Sequence, residues 1–358
     1  MNFNDDLFSV LTAIFQKFDQ QSAFHTVEPW SDDLWSQLRE GGFTTIGRDA
    51  TLADHAAVAK AVGRHAIALP LSDVGLARWT ADHAGVTVPD DAVAICAGID
   101  KADSIEAMRL DSGGLRLNGC AHLVPWGRHA TMVLIPVRLD GGIRWVAVER
   151  ERFRIREGLN FASEPRDDVL LVDVDVDSGS VGTSGALPEE VQARGALIRT
   201  AAAVGAMEFV LEASLTYAEQ RYQFGRPISE FQAVQHHLVL IAEAVASVSA
   251  ALDAAVHSAP EQRLMMVAVA KTMLGEQATT LTRLAHQVHG AIGATEEHPI
   301  QSRTRRLWSW QDEFGTTSDW ARELADRLVF PESPGAWQVL TPPLPALDSR
   351  GIGEGVSW

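Results

Sequence analysis

The sequence predicts an α+β fold: an N-terminal helical domain, a middle antiparallel β domain and a C-terminal four-helix bundle. Three observations predict it. Apolar residues recur at spacings of three and four through the first third of the chain, and again over longer stretches from about Leu187 to Leu328. Between them lie short apolar runs punctuated by Gly, Pro and Asp. The length of 358 residues exceeds one compact domain, and a hydrophobic share of 46% gives ample material for a shared core. The boundaries read as 1–87, 88–186 and 187–330, with 331–358 as an arm or tail.

In the first segment, Leu7, Val10, Leu11, Ile14, Phe15 and Phe18 form one helical stripe, and Leu34, Trp35 and Leu38 a shorter one that Gly41-Gly42 ends. Further helices are expected from Leu52 through Val62 and around Leu76 to His83. Strands are expected at Val93 to Ala97, Met108 to Leu117, Thr131 to Leu139 and Ile143 to Val148, with Asp140-Gly141-Gly142 as a hairpin turn. Val172-Asp173-Val174-Asp175-Val176-Asp177 alternates as a half-buried strand does, valines inward. Its aspartates lack the glycine and distal Glu of a calcium loop.

Four long amphipathic helices are expected in the last segment. One covers Ala206 to Arg221, one carries the stripe Leu238, Ile241, Val245, Val248 and Leu252, one starts at Pro260 and one opens at Pro299.

The net charge of −17 argues against a nucleic-acid partner, which needs a basic face. Two cysteines are too few for a disulfide framework, the acidic N-terminus is unlike a signal peptide, and no apolar run approaches a membrane span. A soluble, cytoplasmic protein is the expectation. Dinucleotide, Walker, nucleophile-elbow and His-Glu-x-x-His motifs are missing, and no Glu-x-x-His pair supports a di-iron bundle. His286 and His289 lie one turn apart and read as packed groups, not metal ligands.

Two segments stand out. Arg221-Tyr222-Gln223-Phe224-Gly225-Arg226-Pro227-Ile228 reads as a helix end and a turn, followed by Ser229 to Gln232, which fits a capping box. An arginine beside helix-terminal amides can also hold a diphosphate. The second segment is His286-Gln287-Val288-His289-Gly290-Ala291-Ile292-Gly293. The first resembles the Arg-x-x-Phe-Gly-Lys/Arg-x-Ile/Leu … Gln signature of acyl-CoA dehydrogenases, and the second resembles that family's Gln-x-His/Phe-Gly-Gly-x-Gly segment about sixty residues later.

The resemblance implies FAD held between the β domain and the bundle, partly by a neighbouring subunit. Arg221 and Gln223 would approach the diphosphate, Phe224 the flavin or adenine, Gln232 the adenosine side, and Gln287 and Gly290 the adenosine end. Thr316 matches a threonine that contacts FAD in relatives, and Trp126 would either cover the flavin from another angle or be core. It also implies dehydrogenation of an acyl-CoA thioester in fatty-acid or steroid side-chain catabolism, with electrons passed to an electron-transfer flavoprotein.

The sequence departs from the pattern at the chemistry. Where relatives carry Glu-Gly-Thr this chain has Phe314-Gly315-Thr316, which leaves Glu313 as the candidate base one residue away, about 100° round a helix. The other reading is that Asp312 and Glu313 are a solvated helix end pairing with Arg305 and Arg306. An alternative base position on the preceding helix aligns with Ser258, with Asp253 and Glu261 out of step. The Thr-Glu-Pro loop of relatives is replaced by Cys96 to Ser104, and their Trp-Ile-Thr by Leu123-Val124-Pro125-Trp126. Three readings follow: a dehydrogenase working as a homo-oligomer, a silent subunit completing the FAD site of a paralogous partner in a heterotetramer, or a flavin-free structural relative.

Overall fold

The computed structural model describes residues 3–19, 30–46, 50–90, 93–96, 105–183 and 188–328. The expectations for residues 97–104 and for the arm 331–358 lie outside them. The fold is α+β, with helical regions at both ends of the chain and a middle region of sheets.

Helices α1 (Phe3–Asp19), α2 (Asp32–Glu40), α3 (Leu52–Arg64) and α4 (Leu71–Ala84) make the N-terminal region. The first stripe buries Leu7, Leu11 and Phe15, while Val10 stays half-exposed at its edge. Thr51 and Asp54 form a reciprocal capping box that starts α3.

The middle region contains β1 (Ala94–Cys96), β2 (Ile105–Arg109), β3 (Leu115–Pro125), β4 (Met132–Leu139), β5 (Gly142–Glu149), β6 (Arg154–Arg156) and β7 (Arg166–Val176). They form two sheets, ordered β1-β4-β5 and β2-β3-β7-β6. The pairing is antiparallel except that β1 runs parallel to β4, because β2 and β3, which belong to the other sheet, lie between them in the chain. Val174 and Val176 face inward as expected, but Val172 is 64% exposed. Asp173 has φ +48°, and the β3–β7 register shifts between Leu117 and Gly119, so the alternation breaks there.

The C-terminal region contains α5 (Pro188–Gln220), a hairpin of β8 (Tyr222–Gln223) and β9 (Arg226–Pro227), α6 (Gln232–His257), α7 (Pro260–His289), α8 (Ile300–Trp310) and α9 (Thr317–Leu328). α5 begins well before Ala206, and the helix opened by Pro299 is split in two where Phe314 and Gly315 adopt positive φ. α6 is long and apolar enough to cross a bilayer by length and composition. Its Leu238, Ile241, Val245, Val248 and Leu252 are nonetheless buried in the core it shares with α5 and α7. The capping box expected over Ser229 to Gln232 does not form: Phe231 is the N-cap without a side-chain bond, and Ser229 lies in the 3-10 turn before it.

The regions are tightly joined. One apolar core runs from Ala59 and Leu76 through Trp145 to the bundle. At the α3–α5 crossing the backbones touch: a Cβ on Gly63 would lie 1.8 Å from the Ala202 carbonyl oxygen, so only glycine fits.

Candidate functional site

The predicted site residues fall into two groups at opposite ends of the bundle. The helices run up and down, so the end of α5, the start of α6 and the end of α7 share one end. That end carries Arg221, Gln223, Phe224, Gln232, Gln287 and Gly290, all exposed. The loop between α8 and α9, with Glu313 and Thr316, packs instead against the first half of α5. Arg199, which binds Glu313, and Gln220 at the helix end are separated by about 30 Å at about 1.5 Å per residue. One chain does not bring the two groups together.

The hairpin is built to project. Phe224 (φ +52°) and Gly225 (φ +81°) are its two central residues, and positive φ at both matches the right-handed twist of the flanking strands. Phenylalanine is a costly residue for that conformation, and it is 93% exposed, its ring meeting that of Phe231 edge-on. Arg226 stacks over Phe231 and reaches Glu230, whereas Arg221 has no ion-pair partner among the described residues. His286 and His289 pack as expected: His286 meets the Thr304 hydroxyl, and His289 meets the Ala285 carbonyl and stacks on Tyr217.

The other end holds a buried ionic network that joins all three regions. Glu313 Oε1 accepts from Arg166 Nε (2.9 Å) and Nη2 (2.6 Å) and from Asn160 Nδ2 (3.3 Å), while Oε2 accepts from Arg199 Nε (2.6 Å). Arg199 also donates to Asp73 on α4 at 2.6 Å. Arg166 and Arg306 share Glu164, whose Oε2 takes a further bond from the Trp310 indole. Asp73, Glu164, Arg166, Arg199 and Arg306 are all buried. Three carboxylates therefore balance three guanidinium groups. Burial pushes both glutamates up, but the arginines outweigh it: Glu313 is held below the usual carboxylate range and Glu164 at about 2. Burial also drives Lys271 down to about 7, and its Nζ donates to the Trp310 carbonyl at 2.7 Å.

A general base needs an accessible lone pair and a pKa raised toward the working pH. Glu313 has neither, because both its oxygens are committed to guanidinium groups. Phe314, where relatives carry the Glu, has φ +57° and lies against Gly195, where an added Cβ would sit 2.3 Å from the ring. Ser258 is no substitute: it ends α6, its hydroxyl donating to the Ala255 carbonyl.

Two further candidate residues have partners within the chain. Trp126 is 3% exposed and packs in the core beside Trp30 and His129, so its ring presents no open face. The nearby exposed residue is Leu123, at φ +53° in the β3 bulge. Thr316 caps α9: its hydroxyl donates to Asp319 at 2.7 Å and accepts from the Asp319 amide. The sequence did not point to Asp73, Glu164, Arg166 and Arg199, and the expected pairing of the 312–313 carboxylates with Arg305 and Arg306 is corrected: Arg306 pairs with Glu164, and Arg305 donates to the Phe161 carbonyl and the Ser163 hydroxyl. Arg199 sits in the apolar run Leu197-Ile198-Arg199-Thr200-Ala201, and a charge interrupting such a run is a readable sign of a buried pair.

The acyl-CoA dehydrogenase C-terminal domain family matches residues 192–325. Acyl-CoA dehydrogenase IpdE2 of Mycolicibacterium smegmatis is 33% identical over 111 residues, 31% of this chain and 35% of that protein. The matched stretch thus spans about a third of this curated relative. In fold, the chain is similar to the ChsE4-ChsE5 complex of Mycobacterium tuberculosis, with TM-score 0.83, 21% identity, and 94% of this chain and 99% of that one covered. It is also similar to a glutaryl-CoA dehydrogenase of Mycobacterium smegmatis in complex with FADH2, with TM-score 0.77, 16% identity and 91% and 94% coverage. Residues 192–325 thus match the acyl-CoA dehydrogenase C-terminal domain family, and the chain shares its fold with these structures over more than nine-tenths of its length.

Proposed function

We propose that the chain works as a subunit of an FAD-dependent acyl-CoA dehydrogenase. It lends its exposed hairpin to an FAD whose ring pocket and catalytic base are supplied by a paralogous partner. The observation that carries this reading is the state of Glu313, ionised and saturated by Arg166 and Arg199. A carboxylate so held is a structural anion, and the residue after it, Phe314, cannot take a proton.

The residues fit one half of an FAD site. Arg221 and Gln223 on the exposed hairpin suit a diphosphate, Gln232 suits an adenosine, and Gln287 and Gly290 lie at the same end. The ring side fits poorly, since Trp126 is buried, Pro125 has no N–H, and the Thr316 hydroxyl is taken by Asp319. Bound FAD supplies hydride acceptance in the α,β-dehydrogenation of an acyl-CoA thioester, with an electron-transfer flavoprotein as acceptor. This chain's part is to bind and orient the nucleotide end across the interface.

The test is the absorption spectrum and FAD content of the purified chain, alone and after mixing with a paralogous subunit that carries the intact Glu-Gly-Thr. Little flavin alone and stoichiometric flavin in the mixture supports the proposal. A full complement of FAD on the chain alone, bleached by an acyl-CoA, refutes it.

A further inference from the structure

Outside the ionic network, the outer face of the β2-β3-β7-β6 sheet gathers a thiol, an imidazole and a carboxylate. Cys120 and His122 are two apart on β3 and therefore project to the same side, and Asp168 joins them from β7. One ligand atom from each lies within 4.8 Å of the other two, and all three residues are partly exposed. The remainder of that face carries Arg–Asp and Asn–Asp pairs of ordinary kind, such as Arg116 with Asp175.

The spacing is informative. Bond lengths of about 2.3 Å to sulfur, about 2.05 Å to nitrogen and about 2.0 Å to oxygen at tetrahedral angles put S···N edges near 3.5 Å and N···O edges near 3.3 Å. Here Cys120 Sγ to His122 Nδ1 is 3.6 Å, and His122 Nδ1 to Asp168 Oδ1 is 3.2 Å. The carboxylate is also held in place from outside the cluster: Asp168 Oδ1 accepts from the Leu123 amide and Oδ2 from Arg156. Such outer partners are what orient the ligands of a metal site. We propose that Cys120, His122 and Asp168 form a zinc-type site with solvent in the fourth position, clamping β3 to β7 beside the bulge that exposes Leu123.

Binding replaces the thiol proton by the metal: the Cys120 S–H loses H⁺ to solvent as the S–Zn bond forms, with no change of oxidation state.

The full chain is titrated with Zn²⁺ against a chromophoric chelator and, separately, with Co²⁺, whose thiolate charge-transfer band reports sulfur ligation. One metal per chain with that band is expected. Cys120→Ser should abolish the band, and His122→Ala and Asp168→Asn should each weaken binding by at least about tenfold. Melting curves recorded without metal establish that each variant folds, and a variant that does not is replaced by His122→Gln. Cobalt binding without the band, binding untouched by the His122 and Asp168 variants, or no stoichiometric binding overturns the site.

Discussion

Replacing Glu313 by Gln separates a structural anion from a catalytic base. The substitution removes one of three negative charges facing Arg166, Arg199 and Arg306, all buried. Gln keeps one acceptor oxygen, but its amide then points donors at a guanidinium that also only donates. Removing one partner of a buried pair typically costs about 3–5 kcal/mol, because the remaining charge is stranded. Unfolding entropy near 2.1 cal/mol/K per residue, applied to this chain, turns that into a fall in Tm of roughly 4–7 °C. The assay is thermal unfolding followed by circular dichroism, run beside acyl-CoA turnover of the assembled enzyme. A lowered Tm, with turnover falling only as far as folded protein is lost, is expected. An unchanged Tm with abolished turnover would refute the reasoning and make Glu313 the base.

Other outcomes follow from the same contacts. Gly195→Ala should destabilise by about 1–3 kcal/mol through its clash with the Phe314 ring, and a second change, Phe314→Ala, should remove most of that penalty in a double-mutant cycle. Lys271 titrates at about 7 when folded against 10.5 in its ordinary state, so between those values the unfolded chain binds more protons. Its contribution to stability therefore rises with pH across that window, and Lys271→Met should flatten the rise in denaturant midpoints. Glu164 acts in the acid range: its folded pKa of about 2 lies below 4.5, so its stabilisation is present above pH 4.5 and lost as pH falls toward 2. Arg221→Ala should leave the melting temperature of the exposed hairpin's chain unchanged while lowering FAD retained by the assembled enzyme; unchanged FAD content would count against the diphosphate role.

Periodicity made the helices and most strands legible, because apolar spacing reports burial directly: Leu7, Leu11 and Phe15 are buried as their stripe implies. It failed where local backbone overrides pattern. The positive φ of Asp173 turned Val172 outward, and the Phe314-Gly315 break divided a helix that spacing alone would continue. The parallel β1–β4 pairing is a long-range choice that neither strand encodes alone. The motif residues Arg221 to Gln232 were readable since they lie within one short segment. The ionic network was not, for its members come from α4, the β domain, α5, α8 and the loop after it, brought together only by the packing of the three regions. Of the two readings open for Trp126, core is the one its burial supports, a choice that position along the strand does not decide.

The backbone contact between α3 and α5 makes α5 a lever with a fulcrum. Gly63 against Ala202 and Gly205 against the Lys60 carbonyl pin the helix near its middle, with the charge network on one arm and the hairpin on the other. At about 1.5 Å per residue the hairpin arm is about 25 Å long, so a tilt of about 3° at the pivot carries Phe224 by roughly 1.3 Å. Displacements of that size are enough to spoil a catalytic geometry. A side chain added at Gly63 thus acts on the position of the hairpin, and with it on the proposed FAD contacts, by leverage alone.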